Sequence, residues 1–299
     1  MPLGHILLLT FVAALWGVNF VVIRIGLDHF PPLLFTALRF AFAALPLAFF
    51  IRRPPVPLGL LAAIGLSLGA VKFSLLFLGM EAGLPPGIAS LVLQAQAFFT
   101  VLFAALLLGE RPGRLQVAGI ALALAGVGLI ATTIDGSLTV SGLALCLGAA
   151  VAWAVANLLI RRAGPVDMLG LMVWISLVPP LPLLILSTIF EGGHRDLAAI
   201  ASTDWQGIAA LLVVAYVATI VGFGIWGAMI ARHGAGAVAP FSLLVPVFGM
   251  SSAALFLGEP LGPVRLAAAA LILAGLAVNT LGSRRAAAAA RAAALAPAA

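Results

Sequence analysis

Leu106-Leu107-Leu108-Gly109-Glu110 recurs 149 positions later as Leu255-Phe256-Leu257-Gly258-Glu259, and Leu124-Ala125-Gly126 recurs as Leu273-Ala274-Gly275. Setting 106–128 against 255–277 at this offset gives eleven identities in twenty-three positions. The offset is half of 299 residues, so the chain reads as two copies of one unit. Leu and Ala are abundant, but Gly-Glu and Ala-Gly at a fixed separation do not follow from apolar richness. Internal duplication in a membrane chain points to transport, with a substrate site between the repeats near the bilayer midplane.

Hydrophobic residues make up 64% of the chain and charged residues 8%, too little polar surface for a water-soluble globule of this length. Apolar stretches of about 20 residues, the length a helix needs to cross the hydrocarbon core, fall near 5–26, 32–51, 58–80, 87–108, 115–134, 142–160, 168–190, 207–230, 236–257 and 264–282. Pro31-Pro32, Pro54-Pro55 and Pro85-Pro86 mark joins, because proline begins or ends helices more readily than it continues them. Arg24 and Asp28 follow the first span in place of a small-residue cleavage site, so that span is expected to be retained. Cys146 is the lone cysteine and falls inside a span; it offers no disulfide framework and needs no role beyond packing.

The net charge of +6 raises nucleic acid as a partner, yet the cations are scattered through short joins and form no basic stripe with interleaved aromatics. Membrane topology accounts for them better. With alternate joins on alternate sides, one side collects Arg52, Arg53, Arg111, Arg114, Arg161, Arg162, Arg232, Arg284, Arg285 and Arg291. The other has Arg24, Arg195 and Arg265, while Arg39 and Lys72 lie within spans. The arginine-rich side is expected to be cytoplasmic, with both termini on it. Five spans per copy is an odd number, so the second copy enters the bilayer upside down. The expected fold is an all-α integral membrane protein, with ten transmembrane helices as two inverted five-helix repeats around a central cavity. The repeats are residues 1–138 and 139–283, and 284–299 form a cytoplasmic Ala/Arg tail that either meets anionic lipid as a short helix or frays.

Several pieces of the chain resemble the EamA family of the drug/metabolite transporter superfamily. They are Ala14-Leu15-Trp16-Gly17-Val18-Asn19-Phe20, Leu38-Arg39-Phe40, the Leu-Gly-Glu closing the fourth and ninth spans, and Val245-Pro246-Val247-Phe248. The resemblance covers residues 5–282. Gln94-Ala95-Gln96-Ala97-Phe98-Phe99 is similar to the branch containing YddG-type amino-acid exporters. Membership implies export of metabolites across the bacterial inner membrane. One departure is Ala97, where many relatives carry proline, so a proline kink is expected only at Pro246 in the ninth span.

Arg39 and Lys72 fall about halfway along the second and third spans. A cation at the bilayer centre costs at least about 2.5–3.5 kcal/mol, so such residues face a cavity or a partner. All nine carboxylates, Asp28, Glu81, Glu110, Asp135, Asp167, Glu191, Asp196, Asp204 and Glu259, are expected in joins or at span ends. Carbonyls freed at kinks, or snorkelling, are the alternative partners for the two cations. Trp16 and Asn19 share a face of the first span, as Trp153 and Asn157 do in the sixth, which suggests two walls of one cavity; interhelical hydrogen bonding and packing would explain them equally. Gln94 and Gln96 point about 200° apart on one helix, so one is expected to bond between helices and Gln94 to face the cavity. Tyr216, Thr219 and Phe223 share a face continued by Gly227, with Trp174 a weaker aromatic candidate. Pro179, Pro180, Pro182 and Pro246 are hinge candidates. Gly119, Gly126, Gly275 and neighbouring small residues suit close helix packing, as scaffold or as a homodimer surface. Glu110 and Glu259 are expected to complement the positive ends of the helices that follow them.

These features favour a transporter of small metabolites, amino acids above all, whose partners are its substrate and membrane lipid. Both interior charges are positive, which suits a ligand carrying a carboxylate. A nucleotide-sugar or phosphorylated-sugar exchanger would want more basic interior residues. An integral membrane enzyme acting on a lipid-linked substrate would need clustered carboxylates with a metal, or a nucleophile and base. His5, His29, His194 and His233 are dispersed and have no metal-ligand spacing, so no metal or cofactor is expected.

Overall fold

The computed structural model describes residues 1–134 and 138–295, so Asp135 and the last four residues of the tail lie outside the described residues. The described secondary structure is helical throughout. In chain order the elements are α1 (Leu3–Leu27), α2 (Pro32–Ala48), α3 (Leu58–Glu81), α4 (Pro86–Leu108) and α5 (Arg114–Ala131). They continue with α6 (Val140–Ala163), α7 (Met168–Ser202), α8 (Trp205–His233), α9 (Ala235–Leu257) and α10 (Pro263–Leu295). Among the described residues nine of these are long and apolar enough to cross a membrane, while α2 is apolar but has 17 residues. The protein is a multi-pass membrane protein.

Helix ends follow from local chemistry. Pro32, Pro86 and Pro263 open helices, where a missing N–H costs nothing. The Asp167 carboxylate accepts from the Leu169 and Gly170 N–H groups, and Asp204 from those of Gln206 and Gly207. These N–H groups, Gly207's foremost, hold the Asp204 carboxyl below its ordinary value, helped by His29. Gly109 and Gly258, 149 positions apart, end α4 and α9 in the same left-handed conformation at φ 68°.

Three expectations change. α7 breaks at Gly192, where φ is 93°, and goes on in a further helical segment, Gly193–Ser202, so Glu191 stands at the end of the span as expected while Asp196 is helical. Asp196 is buried, accepting from the Ser187 hydroxyl at 2.9 Å. Glu259 does not serve the helix that follows it: its carboxylate takes the Gly87 N–H at the start of α4, at 3.1 Å and 3.3 Å. Glu110 likewise pairs with Arg161 on α6 at 2.5 Å, leaving the start of α5 to Gln116, whose side chain accepts from the Gly113 N–H at 2.8 Å. In each case the partner is distant in sequence, and the helix start closest along the chain is already served or opened by proline.

α7 contains a π segment at Thr188–Gly192, and two further helices loosen into π geometry at matching places in the two halves: Gly65–Lys72 within α3 and Val213–Val221 within α8. Lys72 and Val221, the last residues of these segments, are 149 positions apart. Segments of this kind recur at functional sites, because the widened turn leaves carbonyls to other donors. A tighter 3₁₀ stretch interrupts both α4, at Leu93–Ala95, and α9, at Ala239–Leu243. α4 therefore departs from regular α geometry without the proline that α9 has at Pro246. In α7 the helix is broken between Ile175 and Pro180, and a Cβ at Gly69 of α3 would come within 2.3 Å of Pro179.

The glycine stripes of α5 and α10 pack on each other. A Cβ at Gly119 would meet the Gly275 carbonyl oxygen at 2.6 Å, and one at Gly126 the Ala268 oxygen at 2.9 Å. Rising residue numbers on one helix meet falling numbers on the other, so the two run antiparallel. Shifting by 149 turns the pair Gly119–Gly275 into Ala268–Gly126, the second observed contact. Valine at Gly275 should therefore destabilise the protein by about 1–3 kcal/mol, read as earlier thermal loss of monodisperse protein in detergent. Valine at Gly128, which has nothing within 4 Å, should be near neutral. Equal effects would show that this seam is not tightly packed.

Candidate functional site

Arg39, at the middle of α2, is 2% exposed, and Lys72, ending the π segment of α3, is 4% exposed. Among the described residues none of the ion pairs includes either cation. Arg39 donates from Nη2 to the Thr219 hydroxyl at 2.9 Å, and Thr219 donates its own proton to the Val214 carbonyl at 2.9 Å. Both Thr219 and Val214 lie in the π segment of α8, so the hydroxyl is oriented with its lone pairs toward the guanidinium.

Aromatic faces supply the rest of the shell. The centre of the Phe73 ring lies 3.9 Å from the Arg39 guanidinium carbon and 3.2 Å from Lys72 Nζ, so one ring contacts both cations. Trp153 lies 4.5 Å from Lys72 Nζ. Such contacts are worth about 0.5–2 kcal/mol each when desolvated, less than an ion pair of good geometry would recover in the same place. Arg39 Nε and Nη1 remain buried and without hydrogen-bond partners among the described residues.

The cluster extends across the molecule through α8. Trp16 Nε1 donates to the Ala218 carbonyl at 2.9 Å, next to Thr219, and its ring packs 5.0 Å from Phe223 and 5.1 Å from Trp226. Trp16 and Trp153 thus stand at the two ends of one chain of contacts running through Ala218, Thr219, Arg39, Phe73 and Lys72. Of the residues singled out from sequence, this chain brings together Trp16, Arg39, Lys72, Trp153, Thr219 and Phe223. Asn157 serves the other purpose weighed for it: its amide donates to Gln96 Oε1 at 2.7 Å and to Thr100 at 3.1 Å, tying α6 to α4. Gln96 is accordingly the glutamine that bonds between helices. Asn19 is buried with Oδ1 unpartnered. Gln94 is buried and Tyr216 half-buried, and no hydrogen bond or ring contact among the described residues joins either to the chain. Trp174 is remote, donating to the Ile51 carbonyl at 3.0 Å. Phe73 had no sequence signal: a phenylalanine on an apolar helix looks alike whether it faces lipid or a cation.

Two clefts open elsewhere. One of about 510 Å³ lies between α2 and α7 and is lined by Leu34, Leu184, His194 and Asp196; another of about 300 Å³ lies at α1 and α8, against Val22 and Trp205. Neither reaches the cations. Replacing Thr219 with Val should cost about 1.5–3 kcal/mol of stability, the range for a hydrogen bond to a charged group, whereas Thr219→Ser should retain most of it. Thermal unfolding of the purified variants checks this; a neutral Val variant would mean that the hydroxyl does not hold the guanidinium.

A helical membrane protein with buried cations in its interior is the class this architecture defines. The EamA-like transporter family matches residues 3–132 and 140–281, and the chain belongs to that family. It is 46% identical over 279 residues to a Salmonella typhimurium protein named "Probable amino-acid metabolite efflux pump", covering 91% of this chain and 93% of that protein. An Escherichia coli protein of the same name is 43% identical with the same coverage. A Streptantibioticus cattleyicolor protein named "Probable terminal-alkyne amino-acid exporter" is 32% identical, covering 90% and 92%. A protein of known crystal structure aligns with 93% of this chain and 97% of its own at a TM-score of 0.61 and 22% identity, a likeness of fold. The protein is a transporter, and its relatives are transporters rather than enzymes.

Proposed function

We propose that this protein exports amino acids or close metabolites across the bacterial inner membrane by alternating access. The observation that carries the reading is the pair of buried cations, Arg39 and Lys72, which contact one phenylalanine ring in common and, among the described residues, pair with no carboxylate and leave two guanidinium nitrogens unpartnered. A ligand bringing its own carboxylate would supply what this interior lacks. Trp16, Trp153, Tyr216 and Phe223 would line the apolar part of the ligand, and Asn19 and Gln94 would bond its amino group. Asn157 would support the wall through α4. The names of the relatives favour the same substrate class.

In this reading α2 is the tenth span, about 25 Å long at 1.5 Å per residue. Residues 1–138 and 139–283 form two inverted repeats, with both termini and the 284–299 tail cytoplasmic. The antiparallel contact of α5 and α10, which maps onto itself under the 149-residue shift, supports an axis in the membrane plane. Matching π segments and the two family matches support the duplication itself. Rocking of the halves would draw on the break at Pro179, Pro180 and Pro182 and on the 3₁₀ stretch before Pro246.

Two experiments test these claims. Single cysteines at Gly193 and Ser283 should differ: an impermeant thiol reagent added to whole cells should label the first and not the second, and the reverse pattern would overturn the topology. In liposomes holding equal amounts of folded protein, amino acids should be transported in preference to their uncharged amides and to nucleotide sugars. Lys72→Met and Arg39→Met should impair the acids more than the amides, by about tenfold if roughly 1.4 kcal/mol of charge recognition is lost. Equal transport of acid and amide by the original protein and both variants would contradict the proposed carboxylate recognition.

A further inference from the structure

Glu259 closes one end of the contact between α4 and α9. Its carboxylate sits on the Gly87 N–H at the start of α4, and the two helices pack tightly there: a Cβ at Gly87 would come within 3.2 Å of Ala253, and one at Gly249 within 2.4 Å of Ser90. Other ties lie at the same end. Glu191 accepts from the Leu33 and Leu34 N–H groups that start α2, at 2.8 Å and 3.1 Å, and Arg195 approaches Glu81 at 3.9 Å. At the opposite end α4 and α9 are apart: the part of α4 after Gln96 makes no run of close Cα approaches to α9, and a Cβ at Gly236 would meet nothing within 4 Å.

Glu110 stands at that open end, 149 positions before Glu259. Its backbone is built the same way: Gly109 and Gly258 share φ 68°, and the Glu110 and Glu259 N–H groups donate to Ala104 and Ala253 at 3.3 Å each. Gly236 is the position 149 beyond Gly87, in the first turn of α9, as Gly87 is in the first turn of α4. First-turn N–H groups have no partner within their own helix, and the positive helix end favours a carboxylate. Glu110 instead meets Arg161 and is exposed.

We infer that Glu110 and Glu259 are the paired latches of the two access states, Glu259 capping α4 at Gly87 in the state seen here and Glu110 capping α9 at Gly236 in the opposite-facing state. This rests on the inverted-repeat, alternating-access reading given above. Each latch holds only when its own end is shut, so the two carboxylates exchange roles as the halves rock, and Arg161 retains Glu110 while its end is open. Both act as positioning residues, away from the cations that would meet substrate. Burial pushes the Glu259 carboxyl up, opposed by the Gly87 N–H and by Arg265. A neutral side chain with a carbonyl oxygen should therefore still latch, and glutamine is the conservative replacement.

The test is spin-label distance distributions in lipid nanodiscs, with one label pair at Ala82 and Leu261 and another at Leu107 and Ala235. The original protein should show two populations at each end, short at one when long at the other. Glu259→Ala should reduce the population with Ala82 and Leu261 close by about fivefold, the effect of losing a helix cap. Glu110→Ala should shift the balance the opposite way, toward that population. Arg161→Ala and Glu110→Gln should both shift it in the direction of Glu259→Ala, since each breaks the ion pair that retains residue 110, and Glu259→Gln should resemble the original. If one population persists in the original protein under all conditions while transport continues, the rocking reading fails and the latches with it. If two populations exchange but the alanine variants leave them unmoved, or shift them in one common direction, the rocking reading stands and the latch assignment is overturned.

Discussion

Burying a guanidinium and an ammonium in a lipid-embedded interior, with no carboxylate paired to either among the described residues, is the constraint on which this structure depends. Water is excluded, so every charge and every free backbone group must find its partner inside the protein. Arg39 finds a hydroxyl and an aromatic face; Lys72 finds two aromatic faces. The hydroxyl is available because α8 widens into π geometry around Thr219, and the same widening gives Trp16 the Ala218 carbonyl. An interior satisfied by weak, replaceable contacts suits a site that must receive and release a ligand.

Carboxylates take the complementary task at the helix ends. Glu191 and Glu259 cap helices of the other half of the chain, and Glu110 pairs across to α6. Positive charge therefore sits at the centre and negative charge where the halves meet near the surfaces. The division separates recognition from closure, since a carboxylate near Arg39 or Lys72 would compete with the ligand.

Much of the helical layout was legible in the sequence, because a bilayer demands long apolar runs and Pro32, Pro86, Asp167 and Asp204 punctuate them. The family was legible for a similar reason: Leu-Gly-Glu, with its left-handed glycine, is needed where α4 and α9 stop. Other features left no mark. A π segment needs one displaced hydrogen bond, which changes neither composition nor hydropathy, so Gly65–Lys72 and Val213–Val221 read as ordinary helix. Phe73 was hidden among other phenylalanines. The helix starts that Glu191 and Glu259 cap are more than 150 residues away, beyond what local capping patterns can reveal. The segment Gly193–Ser202 was missed because Asp196 looks like a loop residue until its partner Ser187 is known.

A substrate carboxylate that completes the shell of Arg39 and Lys72 can be observed at the bond itself. Isotope-edited infrared spectroscopy of purified protein with a substrate labelled with carbon-13 at its carboxylate observes that contact directly. The antisymmetric carboxylate stretch should move from its position in water when the substrate binds, and should move less in Arg39→Met and Lys72→Met variants that still bind. A bound carboxylate whose stretch stays at its aqueous position, or shifts equally in the original protein and both variants, would contradict the account.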